Sequence, residues 1–149
     1  MEYYIYLKAQ SYLADFIKNK YGDPVRLEKD SPESRIIRKY ISKTPAGKSP
    51  ETSENTNLTV IIPWFKEVDK RVYNYLGNNA KNLLLESFDQ IIEKSMIDEI
   101  GRIETYFTGK ISSLIYSWME KHGIEDNQTN WYTLSQKYYR LRKKYVKLG

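Results

Sequence analysis

The spacing of apolar residues divides the chain into a first third where strands and helices alternate and a remainder where helical spacing dominates. Tyr3 to Lys8 is rich in Tyr and Ile and reads as a strand. From Gln10 to Tyr21 the apolar residues Tyr12, Leu13, Phe16 and Ile17 recur as one face of a helix, and Gly22 is a suitable stop. Asp23-Pro24 predicts a turn, and Val25 to Leu27 a short strand. Ser31-Pro32-Glu33 predicts a helix start: a capping hydroxyl, a proline with preset φ, and a carboxylate at the positive end of the dipole. That helix should run to about Ser42 with Ile36, Ile37, Tyr40 and Ile41 on its buried side.

Residues 43–57 (KTPAGKSPETSENTN) have no periodicity and predict a long loop. Such a loop can separate two subdomains, form the tip of a β-ribbon, or order on binding. Leu58 to Ile62 is a continuous apolar strand that Pro63 ends, the pattern of a central strand buried on both sides. Helical spacing then takes over. One helix is expected over Lys66 to Leu76, stopping at Gly77. A longer one, capped by Asn78 or Asn79, carries Leu83, Leu84, Phe88, Ile91 and Ile92. Its apolar face continues through Ile97, Ile100, Ile103 and Phe107, with a break near Gly101. Lys110 to Lys121 shows Ile111, Leu114, Ile115, Trp118 and Met119 as an amphipathic stripe, closed by Gly123.

This order of elements predicts an α+β fold: a small mixed sheet of about three strands near the N-terminus, followed by a mainly helical C-terminal half. The 149 residues suit one domain over 1–149, with a possible division into an α/β part (1–63) and a helical part (64–149).

The last helical segment carries the functional argument. Asn130 can cap a helix from Trp131, and Thr133 with Gln136 offers a second capping box. Trp131, Leu134, Tyr138, Leu141, Tyr145 and Leu148 form an apolar stripe. Lys137, Arg140, Lys144 and Lys147 repeat the same spacing one residue earlier, which is 100° around the helix, and so make a cationic ridge beside it. Arg142 and Lys143 flank the helix from the other side, and Tyr132 and Tyr139 lie off the apolar stripe.

Charge sharpens this picture. Net charge is +5, yet residues 131–149 hold six basic and no acidic side chains, leaving 18 basic against 19 acidic in the rest. Such asymmetry points to an anionic partner. Duplex DNA fits best: phosphates would meet Lys137, Arg140, Arg142, Lys143, Lys144 and Lys147, and Tyr139 would touch sugar, phosphate or an unpaired base. The plain alternative is a solvated basic helix end that suits the dipole. The 14 tyrosines fit a core with wet edges or a contact surface. A rival function is therefore a protein–protein or assembly module, including a homo-oligomer, built on the strand at 3–7 and the stripe from Trp131 to Leu148.

Leu114 to Tyr145 (LIYSWMEKHGIEDNQTNWYTLSQKYYRLRKKY), with the earlier YGDPVRL, VIIPWF and YNYL segments, resembles an uncharacterised family of small Bacteroidetes proteins found with phage or conjugative elements. The resemblance implies a mobile-element context and no specific activity. The same stretch is faintly similar to a Myb/SANT repeat, a helix with a KHG-type ending and then a Trp near the start of the next helix. A Myb repeat needs a third, recognition helix that this stretch does not supply. His122 to Thr129 is also longer than the turn of a standard helix-turn-helix.

Catalytic chemistry finds little support in the sequence. There is no cysteine, so disulfides and thiolate metal sites are excluded. The single histidine, His122, has Glu120, Glu125 and Asp126 nearby, but their spacing matches no metal loop. Asp98, Glu99 and Glu104 read as a solvated helix flank. No phosphate-loop, dinucleotide, nucleophile-elbow or zinc-protease motif occurs. The expectation is a non-enzymatic protein with no cofactor. A start unlike a secretory signal and the lack of any long apolar run lead to the expectation of a cytoplasmic protein without a membrane partner.

Overall fold

The computed structural model describes residues 1–146, without the side chain of Val146. Its elements are mixed α and β: β1 (Tyr4–Leu7), α1 (Ser11–Tyr21), α2 (Pro32–Tyr40), β2 (Ser42–Lys43), β3 (Leu58–Ile61), β4 (Tyr73–Tyr75), α3 (Asn78–Met96), a π-helical turn (Ile97–Gly101), the one-turn α4 (Arg102–Glu104), α5 (Ile111–Lys121), α6 (Gln128–Leu141) and a second π-helical turn (Arg142–Val146).

The expected single sheet is instead two separate two-stranded ribbons. β1 pairs antiparallel with β3 from Tyr4↔Ile61 to Leu7↔Leu58. On the other edge of β3, Val25 makes a parallel bridge to Val60, with its amide 2.8 Å from Thr59 O and its carbonyl 2.9 Å from the Ile61 amide. β3 is thus flanked on both edges, as its unbroken apolar run implies, and Leu58, Val60, Ile61 and Ile62 are buried.

The second ribbon, β2 with β4, occupies ground where a helix over 66–76 was expected. Polar side chains divert the backbone there. The Asp69 carboxylate accepts from the Arg71 amide at 3.0 Å, the Asp69 carbonyl accepts from Val72 and Tyr73, and Asn74 Nδ2 donates to Lys70 O at 3.0 Å. Asp and Asn offer the main chain these local alternatives to helix, and the alternating Tyr73-Asn74-Tyr75 then extends. The preceding loop is tied at both ends. β2 opens it, and Asn57 closes it by accepting from the Ala9 amide at 2.8 Å and donating to the Ala9 carbonyl at 2.7 Å.

Helix α3 is the spine against which α1, α2 and α6 pack. Ala80, Leu84, Phe88, Ile92 and Met96 line its buried side at helical spacing. Leu83, expected on that face, is 40% exposed. One hydrophobic cluster runs from Ile5 to Leu141 and draws on both sides of residue 63. Each Leu, Ile or Phe sealed in it contributes about 1.5–3 kcal/mol through its removal from water.

Two helices sit in a different register from that expected. Ser31 caps α2 as expected, accepting from the Ser34 amide. The buried side, however, is Glu33, Ser34 and Ile37, while Ile36 and Ile41 are half-buried and Tyr40 is exposed. The Glu33 carboxylate accepts from Ser87 on α3, so a polar pair occupies a place the apolar count assigned to isoleucine. α6 begins one turn early: Asn127 is the cap, its side chain 2.8 Å from the Asn130 amide, and Asn130 is itself buried, donating to Glu125 O at 3.0 Å. Near Gly101 the helix widens into the first π turn and then resumes in α4. Gly123 ends α5 at φ +70°, where the Ile124 amide reaches back to Met119 O. Among the described residues no helix is long and apolar enough to cross a membrane.

Candidate nucleic-acid interface

Helix α6 docks by the stripe that its spacing announces. Leu134, Tyr138 and Leu141 are buried, and Trp131 stacks on Tyr116 of α5 with centroids 4.3 Å apart. Tyr145 is 49% exposed, because the backbone has left α-helical phase at the second π turn, and Leu148 lies outside the described residues.

The cations beside that stripe divide into two groups. Lys137 does not face solvent: its side chain is 6% exposed, with Nζ 2.7 Å from Asp89 Oδ2 and 3.3 Å from Glu93 Oε2 on α3. The same ammonium lies over the Tyr12 ring, and Tyr12 OH donates to Asp89 Oδ1 at 2.9 Å. Burial and the Asp89 carboxylate raise the Tyr12 pKa. Position 137 falls on the α3 side of the stripe, where an i, i+4 pair of carboxylates awaits it, so the expected phosphate contact at Lys137 is corrected to an internal ion pair. Arg142 is partly committed as well. Its Nε lies 2.7 Å from Glu104 Oε1, a carboxylate only 12% exposed that also accepts from Tyr138 OH at 3.3 Å. Burial and Glu104 raise the Tyr138 pKa in turn.

Arg140, Lys143 and Lys144 are exposed and form no ion pair with the described residues. Lys147 lies outside the described residues. Tyr132, Gln136, Tyr139 and Arg140 are exposed at i, i+4, i+7 and i+8 and share one face of α6, and Lys143, exposed in the π turn that follows, borders that face. With Thr133, Arg142 and Glu104 they line an open groove of about 910 Å³. It offers two phenol rings, an amide, a hydroxyl and two cations without an ion pair among the described residues, on α6 and the π turn that follows it. Tyr139, assigned from the sequence, is in the groove at 45% exposure. Thr133 and Gln136 were read as a capping box, which hid their place on this face. The signal that could have found them is their spacing from Tyr139, Arg140 and Lys143.

A second polar cluster surrounds His122. Glu99, expected on a solvated flank, lies in the first π turn and receives hydrogen bonds from Ser95 and Lys121, while His122 Nε2 is 3.1 Å from both its oxygens. Burial opposes ionisation of Glu99, but the contacts from Lys121, Ser95 and His122 outweigh it and hold the pKa at about 2. Ser95 Oγ also accepts from Trp118 Nε1 at 3.0 Å and sits 3.5 Å from His122 Nε2. A nucleophile triad needs serine on one imidazole nitrogen and the carboxylate on the other. Here both face the same nitrogen and the hydroxyl is held by Trp118 and Glu99, so the cluster ties α3 to α5. Glu120, Glu125 and Asp126, the oxygens nearest His122 in sequence, take no part in these contacts. Among the described residues no group of three His, Asp or Glu side chains is placed to hold a metal ion.

Comparison with protein-family models, with curated proteins and with solved structures finds no match.

Proposed function

We propose that this chain is a non-enzymatic nucleic-acid-binding protein whose contact surface is the outward face of α6, with duplex DNA as its ligand. The observation that carries the reading is the grouping of Arg140 and Lys143 with Tyr132, Gln136 and Tyr139 along one groove, with Lys144 beside Lys143 in the π turn that ends α6. Phosphates attract the three cations, while Arg140, Gln136 and the tyrosines suit base edges and sugars. Lys137 is no part of this surface.

With about three phosphates neutralised, affinity for a duplex should fall about 40-fold between ~50 and ~200 mM salt. Arg140→Glu with Lys143→Glu should abolish binding in a gel-shift titration at fixed ionic strength. A flat salt response, or unchanged binding by the double variant, would remove the basis for this reading.

A second reading, a protein–protein module, is favoured by the exposure of Ile103, Tyr106 and Phe107 around α4, at 51%, 86% and 38%. It requires a complex in solution that covers this segment, seen as a mass above that of one chain which Tyr106→Ser with Ile103→Ser returns to monomer.

A further inference from the structure

A separate basic groove lies at the opposite end of the sequence. It runs between α2 and the segment after β3 and has a volume of about 550 Å³, within the range of ligand sites. Six cations line it: Arg26, Lys29, Arg35, Arg38, Lys66 and Lys70. Three carboxylates do so too, and two of these are engaged, Glu2 by Arg26 and Glu67 by Arg38. Lys29, Arg35, Lys66 and Lys70 form no ion pair with the described residues and face a single unengaged carboxylate, Asp30.

Trp64 stands in this groove with 70% of its surface exposed. The other two tryptophans are placed differently: Trp118 is 3% exposed, and Trp131 is half-buried under Tyr116. An indole this open keeps most of its apolar face in water, and its backbone is not loose. Pro63 precedes it, and Phe65 pairs with Val68 just beyond. Trp64, Phe65, Lys66, Glu67 and Lys70 also line the adjoining groove beside Met1 and Tyr3, so the indole forms a ridge between two channels.

We infer that this groove binds single-stranded nucleic acid, with an unpaired base stacked on Trp64 and flanking phosphates held by Lys29, Arg35, Lys66 and Lys70. An exposed indole on a constrained backbone, amid cations without ion pairs among the described residues, is the pairing of stacking platform and electrostatic track that unpaired strands require. A duplex keeps its base faces covered and cannot use the indole; an acidic peptide would use the cations alone. The site is independent of the α6 face, so the two stand or fall separately.

The test is anisotropy of a labelled oligo-dT of about 12 nucleotides, a length within the usual site sizes. Trp64→Ala should weaken binding by about 5- to 150-fold, the range of base–aromatic stacking, and Trp64→Phe should restore most of it. Lys66→Glu with Lys70→Glu should weaken binding and flatten its salt dependence. Arg140→Glu with Lys143→Glu, outside this groove, should weaken it far less than Trp64→Ala does. Trp64 is exposed, so Trp64→Ala should keep the wild-type circular dichroism and thermal midpoint. Wild-type affinity in a folded Trp64→Ala variant, or equal competition by polyglutamate, would overturn the inference, as would loss of oligo-dT binding in the α6 variant alone.

Discussion

Lys137 and Arg140 lie three residues apart on α6, both cationic and both in a run without a single acid. Three residues turn a helix by 300°, so the two side chains leave its axis only about 60° apart. That offset is enough to put one between Asp89 and Glu93, with 6% of its side chain in water, and the other in an open groove. The buried cation loses hydration and recovers it only through two well-placed carboxylates and a ring, so it acts as a lock on the α1–α3–α6 register. An exposed cation contributes little to folding even when paired, and unpaired it remains available to a ligand. Net charge counted along a helix therefore overstates its reach toward a partner: among the described residues, two of the five cations of this run, Lys137 and Arg142, are held by the protein's own carboxylates.

The largest effect that separates the two faces is on stability. Lys137→Ala leaves Asp89 and Glu93 facing each other without their cation. Both carboxylates keep some water, at 28% and 35% exposure, so the lower end of the range for a broken buried pair applies, about 3 kcal/mol. Arg140→Ala should change unfolding free energy by less than about 0.5 kcal/mol. Urea denaturation of both variants measures the contrast directly. Equal losses would mean that the two faces do not differ in kind.

How much of this was legible in the sequence depends on what each signal reports. Helical spacing finds apolar stripes and located α1, α3, α5 and α6 from residues such as Phe16, Phe88 and Trp118, while a Tyr- and Ile-rich run and an unbroken apolar run located β1 and β3. It does not find polar atoms that are buried by being paired. Glu33 read as a dipole partner, Lys137 as a phosphate contact and Glu99 as solvated, because Ser87, Asp89, Glu93, Lys121 and His122, which hold them, lie more than twenty residues away. Nor does spacing foresee a side chain diverting its own backbone, as Asp69 and Asn74 do where a helix was expected over 66–76. The candidate site was half legible. Composition singled out Tyr139, Arg140, Lys143 and Lys144, which the fold leaves exposed, and Lys137 was misplaced by a 60° error that only the position of α3 resolves.

A smaller effect tests the same principle away from α6, at Glu99. Its folded pKa of about 2 lies below the ordinary value of 4.5, so it contributes stability in full above pH 4.5 and loses it as pH falls toward 2. With 29% of the side chain exposed, screening brings the contribution to about 2 kcal/mol. Glu99→Gln should lower stability at neutral pH and flatten the acid limb of the thermal midpoint between pH 4.5 and 2. An acid limb as steep as that of the wild type would show that the cluster around His122 does not use Glu99 as an anchor.

The smallest effect concerns where α6 begins, because the first turn sets which residues reach each face. Asn127, not Asn130, satisfies the free amides there. Asn127→Ala should cost about 1 kcal/mol, and Asn127→Asp should cost almost nothing, since a carboxylate accepts the same hydrogen bond at the positive end of the dipole. Thr133→Ala, at the alternative capping box, should leave stability within about 0.5 kcal/mol of wild type. If the helix instead began at Thr133, the two alanine variants would exchange their effects, and Tyr132 would no longer share a helical face with Gln136 and Tyr139. Folded Asn127→Ala should keep wild-type affinity for duplex DNA, because the cap holds the groove in register without lining it.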